Sequence, residues 1–140
     1  MAKLDIQGFD DLNDAFGRVS SIPFEITAKA LSAMGEVAAG KIRQSGESMG
    51  VRDPESQVHI LDKIKANKPK ETKDGGYAEI TFSGTRTRGR TRTRNAEIAF
   101  VNEYGKRGQP ARPFIATAAE QYADQIAEPG EKIVADWFYK

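Results

Sequence analysis

The chain has 140 residues, 21 of them basic and 20 acidic, which suits a single domain over residues 1–140 with one hydrophobic core. It has no cysteine and one histidine, His59, so disulfides, thiol chemistry and a paired-histidine metal site are excluded. No run of eighteen apolar residues predicts a membrane span, and no basic-then-apolar leader predicts a signal peptide. We therefore expect a soluble protein with no cofactor and no membrane partner.

The charge is unevenly distributed along the chain. Residues 1–40 carry three basic and six acidic side chains, residues 41–94 carry thirteen and seven, and residues 95–140 carry five and seven. The net charges of these segments are therefore −3, +6 and −2. A basic middle between acidic ends favours contact with copies of the same chain or with an oppositely charged partner.

The first third of the chain has a mainly helical pattern. A short strand is predicted over residues 3–6, followed by a short helix that Asp10 or Asp11 can cap. A long helix is predicted over residues 22–46, because Pro23 suits the first turn of a helix and an apolar stripe recurs at helical spacing. Its predicted inward face comprises Phe24, Leu31, Met34, Val37, Ala38 and Ile42.

A loop is predicted over residues 46–56, and a helical turn over residues 56–64. His59 falls beside the apolar face of that turn. A solvated or core-edge position is favoured for this histidine over a catalytic one, because no Ser–His–Asp or Cys–His setting accompanies it.

Two strands of a hairpin are predicted next, over residues 63–72 and 77–85. Pro69 lacks an N–H and would interrupt the hydrogen bonds of the first strand, which places that strand at a sheet edge. Asp74-Gly75-Gly76 lies between the two strands and is a hairpin signal, because the favoured two-residue turns need positive φ.

Residues 85–94 alternate threonine and arginine on both sides of Gly89 and contain no apolar side chain. Threonine favours extended backbone and glycine suits a hairpin tip, so a protruding hairpin is predicted at about 84–95. Its five arginines can each bind a phosphate or a carboxylate through two hydrogen bonds. Three interpretations stay open: a solvated hairpin, contact with acidic neighbouring subunits, and sequence-independent contact with nucleic acid.

A third strand is predicted over residues 94–102, because Ala96, Ile98 and Phe100 share one face at a period of two. Two glycines and two prolines then form a rigid elbow over residues 105–113. The elbow should turn the chain from this strand into a helix that folds back on the sheet.

Two C-terminal helices are predicted, over residues 113–127 and 130–139, with a break at Pro129-Gly130. The apolar stripe of the first comprises Phe114, Ala118, Tyr122 and Ile126. The whole pattern predicts an α+β fold, in which an antiparallel sheet of three to four strands has the long helix and the C-terminal helices packed mainly on one face.

One stretch, residues 96–120, also carries a family resemblance. It contains Phe-Val-Asn-Glu-Tyr-Gly at 100–105, then a short polar loop, then Pro-Ala-Arg-Pro-Phe at 110–114 and an alanine-rich helix. This order of residues resembles the tail-component family of long-tailed bacteriophages, which are small neck or tail-completion proteins.

The resemblance implies a virion structural protein of a phage or prophage, which acts at the head–tail junction by protein–protein assembly and not by catalysis. Expected partners are copies of the same chain in a hexameric ring, the neighbouring head-closure and tail proteins, and packaged DNA through non-specific contact. The protein would be found in the virion and, during assembly, in the host cytoplasm. Tail completion, tail termination and head closure all remain open as its role.

The charge signal and the resemblance together predict which residues bind partners: Arg86, Arg88, Arg90, Arg92, Arg94, Tyr104, Lys106, Arg107 and Arg112. For Arg112 a hydrogen bond within the chain is the competing interpretation. No catalytic, cofactor-binding or metal-binding residue and no small-molecule substrate is predicted. The alternative function is a small sequence-independent nucleic-acid-binding protein that uses the arginine hairpin as an arm along the phosphates.

Overall fold

The structure is a computed structural model that describes residues 22–51, 60–88 and 90–139. Its helices are α1 (Phe24–Ser48), α2 (Asn95–Tyr104), α3 (Phe114–Gln121) and α4 (Ala123–Phe138), with a short 3-10 helix at Ile60–Lys63. Its strands are β1 (Ile64–Ala66), β2 (Lys70–Thr72), β3 (Gly75–Tyr77), β4 (Ile80–Phe82), β5 (Thr85–Arg88) and β6 (Thr91–Arg94). The strand predicted at 3–6, the helix predicted after Asp10 or Asp11, and His59 lie outside the described residues.

α1 is the element on which most of the described chain packs. It contacts α3, α4, the 3-10 helix and strands β1, β3 and β4. The helix predicted over 22–46 is confirmed, and it begins and ends two residues later than predicted. Phe24, Leu31, Met34 and Val37 are only half-buried, and the buried positions of the helix are Ala30, Gly35, Ala38, Ile42, Ser45 and Gly46.

The break between the two C-terminal helices falls at Tyr122, so the break predicted at Pro129-Gly130 is wrong. Tyr122 is held against α1, where its hydroxyl accepts a hydrogen bond from Gln44 Nε2 at 3.3 Å. The ammonium of Lys41 lies 4.7 Å from the centroid of the same ring. Contacts made across the fold therefore fix the position of the break.

Pro129 lies inside α4, although a proline there removes one helical hydrogen bond. Gly130 is buried beside it, at a place where a Cβ atom would overlap Met34 Sδ of α1. Pro129 would by its local propensity end a helix. Close packing of α4 on α1 keeps the helix continuous through this residue.

The strands form three separate antiparallel pairs, β1–β4, β2–β3 and β5–β6. The first two pairs make one interrupted hairpin, in which Asn67 N–H donates to Glu79 O at 2.8 Å between them. The interruption lies at Pro69, as predicted, and the two-residue turn is Lys73-Asp74. The hairpin at 85–94 is also confirmed, with Thr85 opposite Arg94 and Arg88 opposite Thr91.

The largest correction concerns the strand predicted over 94–102, because these residues form helix α2. The positions buried in α2 are Asn95, Ala99, Asn102 and Glu103, which recur at three- and four-residue spacing. Three of the four are polar, so the period of the helix was hidden from a search for apolar periodicity.

The fold is therefore mixed helix and antiparallel sheet, as predicted, but the single sheet of three to four strands is wrong. With residues 95–104 helical, the predicted third strand is lost, and the remaining strands pair only two by two. The main core cluster joins α1, the 3-10 helix, β1, α2 and α3. Its buried members are Ile42, Val51, Ile60, Leu61, Ile64, Ala99, Phe114 and Ala118.

Candidate partner-binding surface

The elbow between α2 and α3 is a tight turn closed by backbone hydrogen bonds. Gly105 has φ 77° and ψ 174°, a backbone conformation that is essentially restricted to glycine. Lys106 and Gln109 then exchange two backbone hydrogen bonds of 2.9 Å, which leaves Arg107 and Gly108 as an exposed two-residue loop. A Cβ on Gly105 would lie 2.8 Å from the backbone nitrogen of Ala111, the residue after Pro110. The glycine is therefore required by both conformation and space.

Glu103 joins α2 to the start of α3. Its side chain is buried, and its two carboxylate oxygens accept hydrogen bonds from Ile115 N–H at 2.8 Å and Ala116 N–H at 2.9 Å. The first N–H groups of a helix have no partner within the helix, and a negative charge there is also favoured by the helix dipole. The Pro113 that precedes α3 provides no side-chain cap, so Glu103 takes over that function from a neighbouring helix.

Arg112 makes two further hydrogen bonds that hold the elbow in place. Its backbone N–H donates to Asn102 O at 2.6 Å, and its Nη1 donates to Gly50 O at 3.1 Å. Its guanidinium is thus bonded within the chain, which agrees with the competing interpretation of this residue. Two residues on, Phe114 is completely buried and meets the ring of Phe82 edge-on, with centroids 5.9 Å apart.

The inward face of α2 is therefore polar and tied to the elbow, and its outward face is aromatic. Phe100 and Tyr104 are 62% and 69% exposed. They lie one helical turn apart, and their rings contact each other with centroids 4.7 Å apart. The aromatic side chains of α2 therefore face solvent, and its buried side chains are mostly polar. The buried hydrogen bonds of Glu103 and Asn102 hold the helix in this orientation.

The strand register divides the arginines of the hairpin between two faces. Directly paired residues of an antiparallel ribbon point to the same side, so Thr85, Thr87, Arg92 and Arg94 share one face. All four are exposed. Positions 86, 88, 91 and 93 belong to the other face, where Arg86 and Thr93 are half-buried.

The exposed face of the hairpin continues onto the outward face of α2. Arg94 Nε donates to Glu97 Oε1 at 3.2 Å, and Arg92 Nε donates to Thr85 Oγ1 at 3.2 Å. Both contacts are solvated, so they orient the guanidinium groups without contributing much to stability. We call the side chains of Arg92, Arg94, Glu97, Phe100 and Tyr104 the aromatic–arginine surface.

The predicted site residues are thus only partly brought together. Arg92, Arg94 and Tyr104 belong to the aromatic–arginine surface, and Arg90 is exposed at the hairpin tip. The remaining four side chains that are described lie elsewhere: Arg86 on the half-buried face of the hairpin, Lys106 and Arg107 exposed on the elbow, and Arg112 bonded inside it. For Arg88 the structure gives the backbone position, opposite Thr91.

Sequence reasoning missed Phe100 and Glu97 as parts of this surface, and Glu103 as the residue that holds its base. The period of two placed Phe100 on one face of a strand with Ala96 and Ile98, whereas in the helix Phe100 is exposed. Glu103 stands twelve residues before Ile115, and no local pattern signals a cap that comes from another helix.

Two kinds of feature are absent from the ranges that the structure describes. No cluster of three His, Asp or Glu side chains within them is arranged to hold a metal ion. No helix among them is both long and apolar enough to cross a membrane.

Comparison with known proteins gives no relative. No protein-family profile matches the chain, and neither a curated protein nor a solved structure is detectably similar to it. The function must therefore be argued from the surface itself.

Proposed function

We propose that this chain is a structural subunit of a phage or prophage virion, which assembles by protein–protein contact into a hexameric ring at the head–tail junction. The observation that carries the proposal is the exposed pair Phe100 and Tyr104, flanked by Arg92 and Arg94. Aromatic residues and arginine are the side chains most enriched at the energetic centres of protein interfaces. The composition of this surface therefore suits binding of a protein partner.

The residues behind the family resemblance support the same proposal. Asn102, Glu103, Gly105 and Arg112 make the bonds and the turn of the elbow, and Phe114 anchors it in the core. These residues fix the inner face of α2, the helix whose outer face carries Phe100 and Tyr104. The residues of the resemblance and the aromatic–arginine surface therefore form one structural unit. Residues 95–104 form a helix and not the strand that the period-of-two pattern predicted, and the elbow contacts are made from this helix.

A ring also agrees with the charge distribution. A closed ring repeats one contact between two different patches of each subunit, which is a heterologous interface. The segment 41–94 has a net charge of +6, and the segment 95–140 has a net charge of −2, so each chain carries segments of opposite sign. Complementary patches of this kind favour correct register and fast association.

The proposal can be tested by co-expressing the chain with the proteins encoded beside it. We expect the chain to co-purify with head-closure or tail proteins and to form ring-shaped particles in electron micrographs. The double variant F100A/Y104A should lose this assembly. The matched control is Tyr77→Ala, which removes an exposed aromatic ring from strand β3 instead and should assemble normally. A chain that stays monomeric at every salt concentration, with its neighbours present, would contradict the proposal.

The alternative function, sequence-independent binding of nucleic acid, is favoured by one observation. Arg90, Arg92 and Arg94 are all exposed on the hairpin. If these three arginines contact phosphates of duplex DNA, log K should fall with log salt at a slope of about −2.7, because each neutralised phosphate contributes about −0.9. Replacing all three by Gln should abolish the slope, whereas K68Q/K70Q, on the other hairpin, should leave it nearly unchanged. No DNA binding at low salt would eliminate this alternative.

A further inference from the structure

The C-terminal helix α4 offers a surface opposite in charge to the arginine hairpin. Asp124, Glu128 and Glu131 are exposed and lie four and three residues apart, which places them along one side of the helix. Among the residues that the structure describes, none of these three carboxylates has an ion-pair or hydrogen-bond partner. We call these three residues the acidic edge.

An apolar groove lies directly beside the acidic edge, between α1 and α4. It has a volume of about 520 Å³. Its lining residues from α1 are Ala30 and Met34, and those from the C-terminal segment include Val134, Phe138 and Tyr139. Among the described residues, Glu131 is the one charged side chain that lines it, so the groove has a carboxylate at its rim.

We infer that the aromatic–arginine surface of one copy docks on the groove and acidic edge of a second copy. This inference rests on the proposed function, and it names the two patches that would alternate around the ring. Phe100 and Tyr104 enter the apolar groove, and Arg92 and Arg94 pair with carboxylates of the acidic edge. The two patches are different, so the contact is heterologous and can repeat from copy to copy.

The spacing of the charges agrees with this docking. Arg92 and Arg94 lie two residues apart on a strand, a separation of about 6.7 Å at the usual rise per residue. Asp124 and Glu128 lie four residues apart on a helix, a separation of about 6 Å. Two arginines can therefore meet two carboxylates in register when the ribbon lies along α4.

The combination of groove and carboxylates favours a second copy over nucleic acid as the occupant. Nucleic acid phosphates would be attracted by the arginines but repelled by Glu97, which lies between Arg94 and the aromatic pair in the sequence and is bonded to Arg94. The rings of Phe100 and Tyr104 carry no phosphate-binding group, and an apolar cavity is the environment that best removes them from water. This chain supplies such a cavity with acid at its rim.

The absence of cysteine allows a direct test by disulfide trapping. One full-length chain carries Tyr104→Cys, and a second, distinguished by a mass tag, carries Tyr139→Cys. Both positions are highly exposed, at 69% and 83%, so neither variant should disturb the fold. Mild oxidation of the mixture should give mainly the mixed 104–139 dimer. In the matched control, Tyr77→Cys replaces Tyr104→Cys and no such dimer should accumulate.

Other products would overturn the inference. A dominant 104–104 dimer would show that the aromatic pairs meet each other, and failure of the mixed dimer to exceed the Tyr77→Cys control would show that the two patches do not meet. Cross-linking of Tyr139→p-benzoylphenylalanine mainly to residues 1–21 of the same chain would show that the groove has an internal occupant.

Charge reversal gives a second, quantitative test. We expect R92E/R94E and D124R/E128R each to weaken self-association by at least about tenfold, because each faces two like charges across the interface. The chain that carries all four changes should recover to within about threefold of the original, since its patches are complementary again. No recovery, with both double variants correctly folded by circular dichroism, would refute the pairing. If rings still form with neighbouring tail proteins in that case, the proposed function stands and only the named interface fails.

Discussion

The carboxylate of Glu103 provides the most direct test of how the elbow is held. It is buried and accepts hydrogen bonds from the backbone N–H groups of Ile115 and Ala116, at the first turn of α3. In Glu103→Ala both bonds and the charge at the helix N-terminus are lost. We expect the variant to be destabilised, because α3 has only eight residues and has no cap of its own.

The magnitude follows from the surroundings of the two N–H groups. A hydrogen bond to a charged group contributes about 1.5–3 kcal/mol, and loss of a helix cap costs about 0.5–2 kcal/mol. Ile115 is half-buried, whereas Ala116 is exposed, so water can replace the second bond. The total loss in the free energy of unfolding should therefore be about 2–3 kcal/mol for Glu103→Ala. Glu103→Gln keeps one neutral acceptor and should lose about half as much.

Urea unfolding followed by circular dichroism measures these differences as a shift in midpoint at an unchanged slope. The matched control is Glu120→Ala, which removes an exposed carboxylate from the same helix and should change stability by less than about 0.5 kcal/mol. If Glu103→Ala were no less stable than Glu120→Ala, the carboxylate would not cap α3 and the account of the elbow would be wrong.

Three further predictions concern the same unit. Gly105→Ala should lose more than about 2 kcal/mol of stability, because alanine disfavours this backbone conformation and its Cβ would lie 2.8 Å from Ala111 N. The control is Gly108→Ala, at φ 83° with open space around it, which should lose about 1 kcal/mol in the same urea assay. Phe114→Ala should lose about 3–5 kcal/mol, because this ring is fully buried against Phe82. Phe100→Ala should leave the urea midpoint nearly unchanged and weaken assembly instead. Equal losses of stability in the two phenylalanine variants would contradict the assignment of Phe114 to the core and Phe100 to the surface.

Local sequence signals were sufficient for several elements. The long helix could be predicted because its apolar residues recur at helical spacing over many turns, and the hairpin at 85–94 because threonine alternates on both sides of a glycine. Pro69 marked the interruption of the first hairpin, since it has no N–H to donate. In each case the residue type and the backbone requirement lie within a few positions of each other.

Helix α2 shows why the candidate surface could not be predicted in the same way. Its buried face carries Asn95, Asn102 and Glu103, and its exposed face carries Phe100 and Tyr104, which is the reverse of an ordinary amphipathic helix. Buried polar side chains are mostly hydrogen-bonded, and two of the bonds here reach outside the helix: Asn95 Nδ2 donates to Ser83 O, and the Glu103 carboxylate accepts from α3. The sequence contains the residues but not their pairing.

Composition and local pattern by themselves determined the presence of one long helix, two hairpins, a glycine- and proline-stiffened elbow, and a division of charge along the chain. The tertiary structure decided which arginines face outward, that residues 95–104 are helical, and that α4 continues through Pro129. The physical reason is the range of the interactions. Hydrophobic periodicity and turn chemistry act between near neighbours, whereas a carboxylate that caps another helix, and a glycine packed against a distant methionine, stabilise their elements only once the chain has folded.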